Sequence, residues 1–402
     1  MSSLGDTSLQ QLVDWQPFRL GSLRRGVCVT LLLLSFANAH AQADRSAEAP
    51  SSGTQTRSKC YPTSPAANRP SLPEEGGLGG SIVLDEHLLT NGSRDEDYDG
   101  GGEVTLSGHR AGLVGRTLDR ALGIIDQSTC PRHRYTDGDW RATHAFAAGI
   151  LVFSPNDLAA HGIVRGDRPY ASLFFLSAGR RYIRPTADVV YDSTFTVGIL
   201  GLAATADVQR ALHRLTGSTK PEGWSHQISS GGEPTARYNF ARQALLNEGG
   251  GGVWHGDAKW TSAVSVGTVT EGSLALSTRW GRIESPWWSF APEENMYVRE
   301  TQPVAPRPQP ESGDEVFAFA GLRAKLRVYN AFLQGQFRHS DLTYSEGDLN
   351  QLLGEAWAGI ELRTSSGWAV QYLARWQSPE LRSGVGSRSI LWGSVEVSKS
   401  FN

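Results

Sequence analysis

A short stretch in the middle of the chain combines two polar side chains that can do chemistry together. Residues 206–217, ADVQRALHRLTG, are predicted to form a helix that Thr205 can cap and Gly217 can close. Gln209 and His213 are four residues apart, so they share one face of this helix. An apolar stripe at the spacing i, i+3, i+4, i+7 runs beside them: Val208, Ala211, Leu212 and Leu215. The pair predicts a general base, His213, whose ring Gln209 orients, although a single histidine is more often a packing or surface residue.

Carboxylates cluster earlier in the chain, in residues 82–108, IVLDEHLLTNGSRDEDYDGGGEVTLSG. The acidic positions before its glycine run are Asp85, Glu86, Asp95, Glu96, Asp97 and Asp99. Carboxylate oxygens on a flexible, glycine-rich backbone suit a hard cation such as Ca²⁺, but the spacing is not that of an EF-hand. A solvated acidic loop is the alternative interpretation. Because Asp85 and Glu86 are adjacent on a predicted strand, their side chains point to opposite faces, and only one can reach a given site.

Two further segments carry basic residues. In residues 164–181, VRGDRPYASLFFLSAGRR, a GDRP turn precedes a strand that begins near Tyr170. Arg168 in that turn can hold a phosphate or carboxylate through two parallel hydrogen bonds, or it can form an ion pair with Asp167. Residues 217–227, GSTKPEGWSHQ, lead out of the helix, and Lys220 there is either an anion ligand or an ordinary exposed lysine. A serine-nucleophile elbow, a zinc signature and a phosphate loop are all absent from the sequence.

The elements that must position these residues are strands. LWGSVEVSKSF and VFAFAGLRAKLRV alternate with period two, and AGIELRTSSGWAVQYLARW reads as two such strands around a tight turn. Strands of about 9–13 residues are longer than those of most soluble sandwiches. The tally is twelve or thirteen, and a barrel whose ends share one side needs an even number. We therefore predict an all-β, antiparallel transmembrane β-barrel of about 12 strands, with the short helix in a loop.

Aromatic residues can form the interface girdles of such a barrel or simply pack between strands. The candidates are Trp287, Trp288, Trp368, Tyr372 and Trp376.

The N-terminal region predicts export. Arg19, Arg24 and Arg25 precede the apolar run GVCVTLLLLSFANA, and small residues then allow cleavage before Gln42. We assign residues 1–41 to a signal peptide, 42–78 to a disordered leader and 79–402 to the barrel. Cys60 and Cys130 remain after cleavage and can form one disulfide. A net charge of −3 gives no sign of a nucleic-acid partner.

The order of these motifs resembles a known family. GDRPYA, a strand, Q-x-x-x-H in a loop helix and then GS-x-K-P-x-G-W-x-x-Q look like the LpxR family of outer-membrane lipid A 3′-O-deacylases. The resemblance runs from residue 80 to residue 402. It implies a twelve-stranded barrel in the outer membrane, with the short helix in an extracellular loop. It also implies a site between the barrel wall and this helix, and Ca²⁺-dependent ester hydrolysis.

The resemblance also implies roles for single residues. His213 matches the catalytic histidine, Gln209 the glutamine one turn earlier, and Arg168 a basic residue near the lipid phosphate or ester. Asp85 and Glu86 stand where the family has Asn-Asp, so Glu86 takes the place of the metal-binding aspartate. YDGGG replaces the family's Tyr-Thr-Asn-Gly, and Ser107 is a candidate for a serine near the metal. The substrate-binding candidates are Lys220 and Tyr170.

The predicted activity is removal of the 3′-O-linked acyloxyacyl chain from lipid A, with lipopolysaccharide and outer-membrane lipids as partners of a monomeric chain. Two alternatives stay open from the sequence. The altered Asp85–Glu86 segment is compatible with a non-catalytic barrel that has lost its metal site. An outer-membrane phospholipase would carry the same residues.

Overall fold

The computed structural model describes residues 78–90, 97–129, 141–183, 188–216, 219–251, 254–295, 297 and 313–401. The predicted signal peptide and, except for Leu78, the predicted leader lie outside these residues. So do Cys60 and Cys130.

Twelve strands in the described part of the chain close into one antiparallel barrel. Each strand pairs with its neighbour in sequence, and β12 returns to β1 with Phe401 opposite Leu78. The strands are β1 Leu78–Glu86, β2 Asp97–Ser107, β3 Arg141–Ser154, β4 Ala171–Ile183, β5 Val189–Leu200, β6 Glu233–Gly251, β7 Trp254–Gly267, β8 Val269–Arg282, β9 Glu315–Asn330, β10 Leu352–Arg363, β11 Trp368–Gln377 and β12 Ile390–Phe401. The predicted fold class and the even strand number are confirmed.

The barrel is apolar outside and charged inside. Along β9, Leu322 is 63% exposed, whereas its neighbour Arg323 and the following Lys325 are buried. The same alternation exposes Leu274 and Leu276 on β8. An apolar outer face and a polar interior are the reverse of a soluble protein and are typical of a barrel in lipid.

Paired charges fill the lumen. Glu355 of β10 accepts hydrogen bonds from Arg323, at 2.7 Å, and from Lys325 and Arg375. Glu293, from the connection between β8 and β9, lies 3.0 Å from the Nζ of Lys259. This connection therefore reaches into the barrel. Buried charges of this kind are tolerated because each has an opposite charge within contact distance.

The two rims of the barrel differ in their connections. We call the rim at the start of β1 and the end of β12 the terminal rim, and the opposite one the distal rim. Of the five links at the terminal rim, three are short, 184–188, 252–253 and 364–367, and two are long, 108–140 and 283–314. The distal rim carries longer links, at 87–96, 155–170, 201–232, 331–351 and 378–389, and one short link at Thr268.

Helices occur only within the connections of the described chain. At the terminal rim, α1 His109–Val114 and α2 Arg116–Thr129 follow β2. At the distal rim, α3 Ala204–Thr216 lies between β5 and β6, and α4 Ala331–Gln334 follows β9. Within the described residues, none of these helices is long and apolar enough to cross a membrane.

The predicted aromatic girdle is confirmed only in part. Trp368, Tyr372 and Trp376 are exposed on the outer wall, where they can meet the membrane interface. Trp287 is buried against Ile183 and Val190, because the β8–β9 connection folds inward. Its role is packing.

Candidate functional site

The site helix forms where it was predicted, but it is rotated relative to its apolar stripe. Helix α3 buries Gln209 and His213 and leaves Val208 51% exposed, with Ala211 exposed as well. The side chains of Leu212 and Leu215 and the predicted closing residue, Gly217, lie outside what the structure describes. The polar pair points inward because hydrogen-bond partners lie there, while an apolar side chain facing lipid loses nothing by staying outside.

Gln209 ties α3 to the barrel wall. Its Nε2 donates to Oδ2 of Asp99 at 2.5 Å, and its Oε1 accepts from Nε1 of Trp224 at 2.6 Å. The Oγ of Ser154 on β3 donates to the other oxygen of Asp99 at 2.6 Å. These bonds fix the helix, two strands and the segment after the helix relative to one another.

A local irregularity in β2 brings Asp99 to this face. The β2–β3 register shifts between Tyr98 and Gly100, as at a β-bulge. Tyr98 points into the lumen, where it packs with Phe153 and Trp392. The extra residue, Asp99, turns outward beside Ser154. Two adjacent residues thus serve opposite faces of the wall.

The backbone holds the imidazole of His213. Its Nδ1 lies 2.5 Å from the carbonyl oxygen of Thr219. A carbonyl only accepts, so Nδ1 donates, and the neutral ring then carries its lone pair on Nε2. Gln209 was predicted to orient this ring, but its amide is bound to Asp99 and Trp224 instead. The tautomer is therefore set by the chain that follows the helix.

An apolar wall borders the polar groups. The rings of Tyr170 and Trp224 are tilted by 44° with centroids 4.8 Å apart, and both pack with Leu158 and Ala206. The hydroxyl of Tyr170 donates to the carbonyl of Leu158 at 3.1 Å. Burial, followed by the charge of Asp99, raises the pKa of Tyr170, so this residue stays protonated. All four side chains are buried, so Tyr170, a predicted substrate-binding residue, packs inside the protein in this structure.

The predicted acidic pair is divided between the two faces of β1. Asp85 points into the lumen and accepts a hydrogen bond of 3.1 Å from the hydroxyl of Tyr98. Glu86 is in phase with the exposed Ile82 and Leu84, so it lies on the outer face, as Asp99 does. Only Glu86 of the pair faces the helix side of the wall.

Gly100 leaves room for oxygen atoms beside Glu86. The two residues are directly opposite in the β1–β2 ladder. A Cβ on Gly100, whose φ is +147°, would lie 2.4 Å from the carbonyl oxygen of Asp85 and 3.3 Å from Oε2 of Glu86. Two oxygens therefore converge on the space that a side chain would fill. Oxygen donors fit Ca²⁺, although the described residues contain no group of three His, Cys, Asp or Glu side chains that could hold a metal.

The basic candidates lie away from this wall. Arg168 is 2% exposed, forms an ion pair with Glu380 and places its guanidinium 4.3 Å from the ring centre of Phe153, which faces the lumen. Lys220 is exposed, with its Nζ 2.5 Å from Oε1 of Glu222. In this structure Arg168 belongs to the lumen network and Lys220 to a surface ion pair.

The serine candidate was misplaced. Ser107 pairs with Gly79 near the terminal rim, seven ladder positions from the Glu86–Gly100 pair, or ~23 Å along the strand. The serine of the site is Ser154, at the end of β3. No sequence signal identified it, because its contact with Asp99 spans 55 residues. Asp99 and Trp224 lie within the sequence segments 82–108 and 217–227 discussed above, but nothing in their spacing showed that both bind Gln209.

Comparison with known proteins identifies relatives of this architecture. The family model described as "Outer membrane protein LpxR" matches residues 60–401. Among solved structures, LpxR from Salmonella typhimurium superposes with a TM-score of 0.60 at 16% identity, covering 81% of this chain and 99% of that chain. A comparison with curated proteins found no match.

Other outer-membrane barrels match less well. The beta domain of the Bordetella autotransporter BrkA covers 81% of this chain and 99% of its own at 10% identity, with a TM-score of 0.38. An outer membrane channel from Pseudomonas putida F1 covers 84% and 100% at 10% identity, with a TM-score of 0.37. Scores this low carry no structural inference.

Proposed function

Because the chain belongs to the LpxR family of outer-membrane proteins, we propose that it is a lipid A 3′-O-deacylase, which removes the 3′-O-linked acyloxyacyl chain from lipopolysaccharide. The observation that supports this proposal most directly is the position of His213 on the outer wall of the barrel. Its Nδ1 is bonded to Thr219, and a cluster of buried apolar side chains lies nearby. An ester buried in the lipid layer meets such a site from the side of the barrel and has no need to enter the lumen.

The rim assignment agrees with this substrate. Bacterial outer-membrane barrels have short periplasmic turns and longer extracellular loops. We assign the terminal rim, which carries three of the four shortest links, to the periplasm and the distal rim to the cell exterior. The described parts of the two long terminal-rim links, 108–140 and 283–314, fold back onto the outer wall and into the lumen. Helix α3 then lies at the level of the outer leaflet, where lipopolysaccharide is found.

His213 supplies the proton transfer in the proposed reaction. Its Nε2 takes a proton from a water molecule, whose oxygen attacks the acyl carbonyl carbon. The resulting tetrahedral intermediate expels the 3′-oxygen of the sugar, which receives the proton from Nε2. General base help of this kind contributes about 10²–10⁴-fold in rate. The carbonyl of Thr219 and the negative C-terminal end of α3 both stabilise the imidazolium that forms.

The remaining residues of the site position these groups. Gln209 and Asp99 hold α3 on the wall, and the buried pair Tyr170 and Trp224 packs the segment after the helix against it. Glu86 is our candidate for holding the Ca²⁺ that the family resemblance implies, with the carbonyl of Asp85 beside it. When bound, such an ion polarises the acyl carbonyl.

The test is a mass spectrum of lipid A from cells that express the protein. We expect the wild type to release the 3′-acyl groups with calcium and to lose this activity in EDTA. His213→Ala should leave lipid A intact, whereas His161→Ala, an exposed histidine at the same rim, should behave as wild type.

Unchanged lipid A with a correctly folded wild-type barrel would overturn the proposal and favour the non-catalytic alternative. A phospholipid assay on the same samples separates the second alternative, because a phospholipase would release fatty acid from phospholipid while lipid A stays whole.

A further inference from the structure

Helices α1 and α2 lie against the outside of the barrel near the terminal rim. Asp119 of α2 lies 2.9 Å from Nδ1 of His144 on β3 and accepts hydrogen bonds of 2.8 and 2.7 Å from Arg180 on β4. Two helical turns later, α2 contacts further strands. There Asp126 accepts bonds of 2.8 Å from three hydroxyls, those of Tyr182 on β4, Ser193 on β5 and Tyr238 on β6.

These partners belong to the outer face of the wall. His144 lies between Thr143 and Ala145, which are buried toward the lumen, and Arg180 precedes Arg181, which pairs with Asp192 inside the barrel. The contacts of α2 run from β3 to β6, so the helix crosses four strands. Its axis therefore follows the circumference of the barrel, in the plane of the membrane.

The helix covers a polar patch that lipid would disfavour. A histidine, an arginine, a serine and two tyrosines face outward beneath it, and the helix supplies the two carboxylates that bind them. Gly123 lets the helix approach closely, because a Cβ there would lie 2.9 Å from Nη1 of Arg180. This firm docking fixes which face of α2 points away from the barrel.

The face that points away combines positive charge with large apolar side chains. Arg110, Arg116 and Arg120 are exposed, and the structure records no ion pair between them and other described residues. Leu113 and Val114 are also exposed, and Ile124 is 71% exposed. Both carboxylates of the two helices, Asp119 and Asp126, point inward, so this face carries no negative side chain.

We propose that α1 and α2 form a lipid-binding element that holds anionic phospholipids of the periplasmic leaflet. The three arginines bind the headgroup phosphates, and Leu113 and Ile124 insert between the acyl chains. A helix in the membrane plane with arginine and aliphatic residues on its free face is built for this interface. The face is continuous with the lipid-facing wall of the barrel. This inference does not depend on the proposed ester hydrolysis.

Native mass spectrometry of the full-length mature protein in detergent micelles tests the proposal. Phosphatidylglycerol and phosphatidylcholine with the same acyl chains are titrated in turn, and bound lipids are counted. We expect tighter binding of phosphatidylglycerol. Replacing all three arginines by glutamine should weaken it by about fivefold for each charge, on the order of a hundredfold in total. The matching triple lysine variant should retain the preference.

A matched control removes three exposed arginines from the distal rim, Arg165, Arg338 and Arg382, and should leave binding unchanged. Heat-modifiable migration on a gel reports folding. If the triple glutamine variant does not fold, the single variant Arg120→Gln should still bind phosphatidylglycerol about fivefold more weakly than the wild type. The proposal is overturned if the wild type shows no preference or the glutamine variants keep it. It is also overturned if their loss converts a dimer to a monomer, since the face would then bind a second copy.

Discussion

At the scale of residues, hydrogen bonds restrict both the position and the ring orientation of His213. The imidazole is held by the backbone of Thr219, and the helix that carries it is held by Gln209. Positioning and chemistry are therefore assigned to different residues, one helical turn apart. This division can be tested one side chain at a time.

The first prediction concerns Gln209. Gln209→Ala should lower the rate of deacylation by tenfold or more while the barrel stays folded. The substitution removes one hydrogen bond from Asp99 and one from Trp224, at a cost of about 1–3 kcal/mol for each buried group, so α3 moves from the wall. Asp207→Ala changes an exposed residue of the same helix and should have little effect. Equal losses in both variants would argue against a specific positioning role.

The second prediction separates the two acidic neighbours. Glu86→Gln should raise the calcium concentration needed for half-maximal activity by tenfold or more, because a neutral amide is a weaker ligand. Asp85→Asn should leave it unchanged, since Asp85 faces the lumen. Calcium titrations of the two variants are the measurement. If Asp85→Asn raises the calcium requirement and Glu86→Gln does not, the metal binds on the lumen face of β1 and our assignment is wrong.

At the scale of elements, α2 is held on the outer wall by two carboxylates in different states. Burial alone would raise the pKa of Asp119, but hydrogen bonds from His144 and Arg180 outweigh it and lower the pKa well below its usual range. Burial raises the pKa of Asp126, even though three hydroxyls donate to it. The charged form of Asp119 is thus favoured in the folded state, and that of Asp126 is disfavoured.

The third prediction follows from these shifts. Since the pKa of Asp119 is lowered on folding, its contribution is complete above its unfolded pKa near ~4 and is lost as the pH falls through the lower folded-state pKa. Helix α2 should therefore stay docked at neutral and mildly acidic pH and exchange its amide protons readily only in strong acid. Asp119→Asn should expose these amides already at neutral pH.

Asp126→Asn is the matched comparison for that experiment. It should affect amide exchange less, because the folded state already disfavours the charge at this position. Faster exchange in Asp126→Asn than in Asp119→Asn would contradict the assignment of the anchoring charge.

At the scale of the whole molecule, the solvent on each side of the wall decides which residues are buried. The lumen collects paired charges such as those around Glu355, and the outer wall exposes leucines and isoleucines. Both amphipathic helices follow the same rule, since α3 leaves Val208 outside and α2 leaves Ile124 outside. Other apolar side chains of these helices, Ala206 of α3 and Leu122 of α2, are buried, so only part of the apolar surface of each helix is turned outward.

The fourth prediction tests that rule. Leu322→Arg places a charge on the outer wall and should lower the free energy of unfolding by about 2–4 kcal/mol in phospholipid vesicles. Phe337→Arg, at an exposed position of the distal rim, should change it little. Urea unfolding from vesicles measures both. Similar values for the two variants would mean that β9 does not face lipid at Leu322.

The sequence by itself determined the barrel, an even number of about twelve strands and the presence of the helix with Gln209 and His213. It also determined that Asp85 and Glu86 face opposite ways. These features depend on local periodicity, which a chain carries in its order of residues. The family resemblance added the outer membrane as the compartment.

Only the tertiary structure decided which groups meet. The bonds from Gln209 to Asp99, from Ser154 to Asp99 and from His213 to Thr219 join a strand, a bulge and a helix, and periodicity does not encode such contacts. The same holds for Arg168, which turned into the lumen because Glu380, far along the chain, lies there. The rotation of α3 was equally hidden, because an apolar stripe predicts a buried face only where the surroundings are water.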